Sequence, residues 1–339
     1  MAPVIVTISV DWEGRHLRDE NLTAMAKFRE RFRVPLTHFI CPAYFTRGAD
    51  AGAAERVLGQ VLPGDEVGLH IHGWDSLLIA SKVPLVVNAN AYNYCSAQGD
   101  FQALWVRYGV NQYDTGQGLA LGAFPSDVVT RLITMSVALL VENALGGSIQ
   151  GFRAGGWMAP DAVLAAVAAS GLTYDSSATD AQVFAVEGIQ SPKVPLYRWV
   201  ADIWGATPQT TPLLANACTQ AQVPGGVGSA TQPYKLTTAS GSLIELPDNG
   251  VLADYVDVAH MVGMIRAALR SGAEDPQFVH IGFHQESACI SFDTWTQTVL
   301  RTTDNLAKIA RVLEVLAELD LFDQIDFQTA AGAVKAFTG

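Results

Sequence analysis

Charge is scarce in this chain of 339 residues: 16% are Asp, Glu, Lys or Arg, and Lys plus Arg number 21 against 33 Asp plus Glu, a formal net charge of −12. No cluster of Lys and Arg occurs, which argues against nucleic acid or an anionic membrane surface as partner. Cysteine is scarce as well. Cys41, Cys95, Cys218 and Cys289 stand far apart and form no Cys-x-x-Cys. That spacing favours reduced thiols in a cytoplasmic protein over a disulfide framework or a zinc knuckle. Long apolar runs are missing. The longest in a helix-like segment, Leu132 to Val141, is flanked by Arg131 and Glu142 and is too short to span a bilayer. Met1-Ala-Pro-Val4 enters a strand without a basic segment or cleavage site, so no signal peptide is visible and a cytoplasmic location is expected.

What the chain does have is apolar substance, 49% of its residues. Its length suits two average domains or one large α/β barrel. Short apolar strands alternate with amphipathic helices: strands near 3–11, 36–41, 67–72, 151–154, 174–177, 243–246, 278–283 and 324–327, with helices near 20–33, 52–61, 125–146, 160–170, 257–271 and 293–319. The repeated βα order predicts a parallel sheet. Seven or eight such units predict an α/β fold of the distorted (β/α)7–8 TIM-like barrel type. One barrel domain is expected over residues 1–339, with insertions at about 75–124 and 185–241. Insertions after strands build a substrate rim, or else plain loops or an oligomer contact.

Chemistry concentrates at the carboxyl ends of these strands, where barrel enzymes carry their sites. The run Val4–Val10 ends in Asp11-Trp12-Glu13-Gly14, and Val67-Gly-Leu-His70-Ile-His72 ends at Gly73. Residues two apart on a strand share a face. Asp11 and Glu13 therefore point together, as do His70 and His72. Two acids and two imidazoles at neighbouring strand ends suit a metal-assisted hydrolase. Arg153, Asp248 and His284 stand at the ends of later strands.

The ordered set Val10-Asp-Trp-Glu-Gly14, Glu66-Val-Gly-Leu-His-Ile-His-Gly-Trp74, Gly151-Phe-Arg-Ala-Gly-Gly-Trp157, Tyr174-Asp-Ser-Ser177, Glu245-Leu-Pro-Asp248 and Ile281-Gly-Phe-His284 resembles the polysaccharide deacetylase family (carbohydrate esterase family 4, NodB-like). The resemblance runs from residue 4 to about 330. It implies a distorted barrel and metal-dependent hydrolysis of an acetyl group on a sugar. By resemblance Asp11 is the general base and Glu13 a metal ligand, although an intervening Trp and the use of Glu leave room for the two roles to be exchanged. His70 matches the first metal-binding His. Position 74, where the second falls, is Trp, so His72 completes the site only if strand geometry brings it to the same ion.

Further roles follow from the same resemblance. Arg153 orients the base carboxylate, and Asp248 pairs with Arg153 or tunes the catalytic His. His284 is the general acid. Trp157 lines the substrate groove, Trp74 joins it, and Gln285 (with Glu286) sits on the rim. His280 shares the parity of His284 but lies deeper in the same strand, and on that ground is read as structural. The implied cofactor is a divalent metal, zinc first, with cobalt or nickel as alternatives. The implied substrate is an N-acetylated sugar or a nucleotide-linked or lipid-linked glycan precursor. Nucleic acid and a membrane span are excluded, and a homo-oligomer stays open. Two other readings remain: a metal-independent amide or ureide hydrolase of the same superfamily, which the loss of the second family His fits, and a catalytically silent glycan-binding barrel, against which the retention of Asp11, Arg153 and His284 argues.

Overall fold

Strand β1 (Val4–Trp12) is buried at every position, and its β-branched residues suit a strand covered on both faces. Val4, Val6, Ile8, Val10 and Trp12 join the main apolar core. Ile5 belongs to a separate cluster with Phe39, Tyr174, Leu246 and Phe278. The alternate residues Thr7, Ser9, Asp11 and Glu13 are buried and polar. The strand thus has an apolar face toward the helices and an interior face that changes from apolar to polar along its length.

The computed structural model describes residues 2–14, 17–46, 52–83, 121, 124–143, 145, 148–180, 227–289, 291–293, 298–301 and 304–339. The order after β1 is α1 (Asp19–Arg31), β2 (Thr37–Ile40), α2 (Ala53–Leu58), β3 (Glu66–Ile71), α3 (Asp75–Ala80), α4 (Ser126–Glu142), β4 (Gly151–Ala154), α5 (Asp161–Ala169) and β5 (Tyr174–Asp175). It continues with β6 (Tyr234–Thr238), β7 (Gly241–Glu245), α6 (Val258–Arg270), β8 (Gln277–His284), β9 (Ser291–Asp293), β10 (Thr298–Arg301), α7 (Asn305–Glu318), β11 (Ile325–Phe327) and α8 (Ala330–Thr338). Parts of the two expected insertions, 84–120 and 185–226, together with Cys95 and Cys218, lie outside the described residues. Among the described residues no helix is long and apolar enough to cross a membrane.

The fold is α/β with a mainly parallel sheet. β1 pairs with β8 over Val4–Asp11 on one edge, while β11 and β2 divide the other. From β2 the ladder runs through β3, β4 and β5 to β7, all parallel, and ends on antiparallel β6. The barrel is not closed by a continuous ladder. Instead, the segment after β7 lies along β8: Gly250 N–H donates to His280 O at 2.8 Å and Ala253 N–H to Gly282 O at 2.7 Å. The lower end is stoppered by α8, whose first amides are held by the interior, Ala330 N–H by Thr37 Oγ1 and Ala331 N–H by Glu66 Oε2, each at 2.8 Å.

Outside, the helices bury one apolar stripe each. Leu306, Ile309, Val312, Leu313 and Leu316 of α7 are buried, a helical spacing, and each full burial is worth about 1.5–3 kcal/mol. The expected helix over 293–319 begins only at Asn305, and its first part is the β9–β10 hairpin. The Thr-Val-Leu stretch there favours a strand, and the Asp304 side chain caps α7 by accepting from Ala307 N–H at 2.7 Å. Helix α8 and strand β6 have no counterpart among the expected elements.

Candidate metal centre

The polar half of the interior lies at the carboxyl ends of β1, β3, β4 and β8. β3 ends at Ile71, so His72 is the first residue beyond it. Both imidazoles still converge, with ring centroids 4.9 Å apart. Between them stands Glu13: Oε1 is 3.3 Å from His70 Nε2 and Oε2 is 2.9 Å from His72 Nε2. All three residues are buried, and one ligand atom from each lies within 4.8 Å of the others. His70 Nδ1 is 2.9 Å from Arg153 O. As that carbonyl can only accept, Nδ1 donates to it, and Nε2 is the nitrogen that faces Glu13 and would serve a cation. Two imidazole nitrogens and a carboxylate make a donor set that fits zinc and neighbouring divalent ions. Burial alone would raise the Glu13 pKa, but the charge of His72 and hydrogen bonds from His70 and His72 hold it well below the usual carboxylate range.

Glycine makes room here. A Cβ on Gly155 would stand 2.6 Å from His72 Cε1 and 2.8 Å from Ile71 O, so the glycine after β4 lets His72 turn inward.

Beneath this group lies Arg153, wholly enclosed, with its guanidinium stacked 4.5 Å from the Phe39 ring centroid. Nη1 donates to Asp11 Oδ1 at 2.8 Å and to Ser9 Oγ at 3.0 Å. Nε donates to Ser176 O and Nη2 to Ser176 Oγ, both at 3.0 Å. His280 Nε2 is 3.2 Å from Nη2. Burial, reinforced by the Arg153 charge, drives the His280 pKa well below its ordinary value, leaving the ring neutral. Its contacts lie deep in the barrel.

His284 approaches Glu13 from β8, with Nε2 at 3.4 Å from Oε1. Its Nδ1 is 3.3 Å from Asp254 Oδ2, and its main-chain N–H donates to the same oxygen at 3.0 Å. Asp254 also accepts from Ser287 Oγ and from Asn305 Nδ2. Burial by itself would lower the His284 pKa. The charge of Asp254 and its hydrogen bond, then the charges of Glu13 and Asp11, outweigh that and raise it to about 10.

Asp248 is not hydrogen-bonded to His284. Its Oδ2 accepts from Trp157 Nε1 at 3.1 Å. Burial pushes its pKa up to about 6 against the opposing charge of Arg153. The carboxylate on the imidazole is thus Asp254, which sequence reasoning missed: it lies in the irregular segment before α6, where no periodicity marks it. Trp157 packs edge-on to Tyr255 at 5.8 Å, and Tyr255 edge-on to His284 at 5.9 Å, forming an aromatic wall beside the imidazole.

Two expected substrate contacts are placed otherwise. Trp74 is fully buried and its indole N–H donates to Glu13 O at 2.8 Å, so it lies behind the ligand group instead of lining an open groove. Gln285 is also fully buried, on the 3-10 turn Gln285–Ser287, and is not on an exposed rim.

No family model matches the chain, and its sequence matches no curated protein. Among solved structures it is similar to a protein named only provisionally as a polysaccharide deacetylase, from Mycobacterium smegmatis, with 13% identity, a TM-score of 0.47, and coverage of 99% of this chain and 94% of that one. It is also similar to a family 4 carbohydrate esterase from Streptomyces lividans in complex with acetate (11% identity, TM-score 0.41, 94% and 89% coverage). A third likeness is to a 4-alpha-glucanotransferase from Thermococcus litoralis (9% identity, TM-score 0.48), of which the chain spans 41%. At these values none of them assigns an activity to this chain.

Proposed function

We propose that this chain is a metal-dependent hydrolase that removes an acetyl group from an N-acetylated sugar or glycan precursor. The observation that carries the reading is the Glu13 carboxylate, held between His70 and His72 with His284 Nε2 3.4 Å from its Oε1. A cation ligand set and a proton donor thereby share one carboxylate.

Glu13, His70 and His72 would hold a divalent cation, with zinc the best match to the donors. When bound, such a cation supplies Lewis acidity, which makes water a stronger acid and polarises a carbonyl. The chain's own groups do the rest. Asp11, fixed by Arg153 at 2.8 Å, takes a proton from the attacking water. Its partner is a fully charged guanidinium (the Arg153 pKa is raised despite burial, by the charge of Asp11 and then of Asp248). The base therefore works as an oriented carboxylate. His284 enters the reaction protonated, because Asp254 stabilises the imidazolium. It gives its Nε2 proton to the leaving amine, and acetate departs. The half-buried Tyr255, backed by the buried Trp157, offers an aromatic face for a sugar ring.

The reading is tested by incubating the protein with N-acetylglucosamine oligomers and sugar-nucleotide substrates and measuring acetate. Acetate release that a chelator abolishes and zinc restores supports it. Release that chelation leaves unchanged contradicts the metal role, and no release from any N-acetylated sugar contradicts the substrate class.

A further inference from the structure

Glu13 lies one residue past the end of β1, so its peptide groups lie outside the strand. Side chains hold them instead. Glu13 N–H donates to Glu286 Oε1 at 3.0 Å, and Glu13 O accepts from Trp74 Nε1 at 2.8 Å. The first partner is itself fixed: Glu286 Oε1 accepts from Tyr44 O–H at 2.6 Å, and Glu286 O accepts from Asn21 Nδ2 at 2.8 Å. The second is tied to the other ligand strand, since Trp74 N–H donates to His72 O at 2.8 Å. Gly14, at φ +79°, leaves space for this approach; a Cβ there would stand 2.7 Å from Trp74 Nε1.

We propose that Trp74 and Glu286 are positioning residues that grip the Glu13 main chain from both sides and so aim its carboxylate at His70 and His72. This rests on the metal reading above. Because its indole N–H holds Glu13 O and its main-chain N–H holds His72 O, Trp74 ties the end of β1 to the end of β3. A tryptophan at a position where the sequence resemblance places a metal-binding His is thereby accounted for: it positions the ligands instead of serving as one. Such outer contacts commonly set metal affinity by about 10–100-fold.

The test compares zinc affinity, by competition with a chromogenic chelator, and the visible spectrum of the cobalt-loaded protein, for wild type, Trp74→Phe, Glu286→Met and Glu286→Gln. Phe fills most of the indole's space without the N–H. Met keeps the length of Glu286 without an acceptor, while Gln keeps an oxygen for the Glu13 and Tyr44 donors. The expected result is affinity weakened about 10–100-fold and shifted cobalt bands in Trp74→Phe and Glu286→Met, with far-UV circular dichroism unchanged and Glu286→Gln close to wild type. If Trp74→Phe fails to fold, the Met and Gln pair carries the test from the other side of the peptide. Wild-type affinity and spectrum in the folded Trp74→Phe or Glu286→Met protein overturn the proposal alone. A wild type that binds no zinc or cobalt overturns the metal reading and this proposal with it.

Discussion

Asp254 Oδ2 stands 3.3 Å from His284 Nδ1 and also accepts the His284 main-chain N–H, so one carboxylate fixes both the orientation and the charge of this imidazole. Removing its charge lowers the His284 pKa, and the protonated acid is then lost at lower pH. In Asp254→Asn the alkaline limb of the kcat/KM profile moves down by about one unit or more, since a neighbouring charge shifts a pKa by about 1–3 units. A pH–rate series on N-acetylated sugar measures this. An unmoved alkaline limb would show that His284 does not govern it.

Arg153 joins Asp11, Ser9, Ser176 and His280 inside the barrel. Arg153→Met leaves the Asp11 carboxylate buried without its counter-charge, which costs about 3–5 kcal/mol. Urea denaturation reads the loss directly. Arg153→Lys keeps the charge but cannot reproduce the forked contacts. It is expected to be the more stable of the two variants, yet still to lose most activity because Asp11 is no longer aimed. Equal activity of Arg153→Lys and wild type would contradict the orienting role.

Asp248 offers a stability test with a definite sign. Its folded pKa is raised to about 6 from the ordinary 3.8. The folded state therefore prefers the neutral acid. This group's favourable contribution is fully present below about pH 4 and is lost as pH rises through 6. The shift corresponds to about 3 kcal/mol. Asp248→Asn, which keeps an acceptor for Trp157 Nε1, should be more stable than wild type above pH 6, and the gap should close toward pH 4. Denaturant midpoints across that range measure it. A gap that does not vary with pH would rule out the linkage.

Strand parity made much of this site legible. Asp11 with Glu13 and His70 with His72 are pairs that share a face in any strand, and the structure brings the second pair around Glu13. The βα rhythm likewise announced the parallel sheet. What the sequence concealed depends on side-chain contacts between distant segments. Asp254 lies in an irregular stretch with no period to mark it. Trp74 reads as a substrate-groove aromatic until the fold seals it against Glu13 O. The β9–β10 hairpin was masked by the helical pattern that follows it, and α8 stoppers the barrel by contacts with Thr37 and Glu66, 293 and 265 residues earlier.

The central claim is that Glu13, His70 and His72 form one cation site. Elemental analysis of the untagged protein, wild type and His72→Ala, tests it most directly. About one zinc, cobalt or nickel per chain in wild type, lost in His72→Ala while the variant stays folded, is the predicted result. No metal in wild type even after reconstitution, or an undiminished content in His72→Ala, would contradict it.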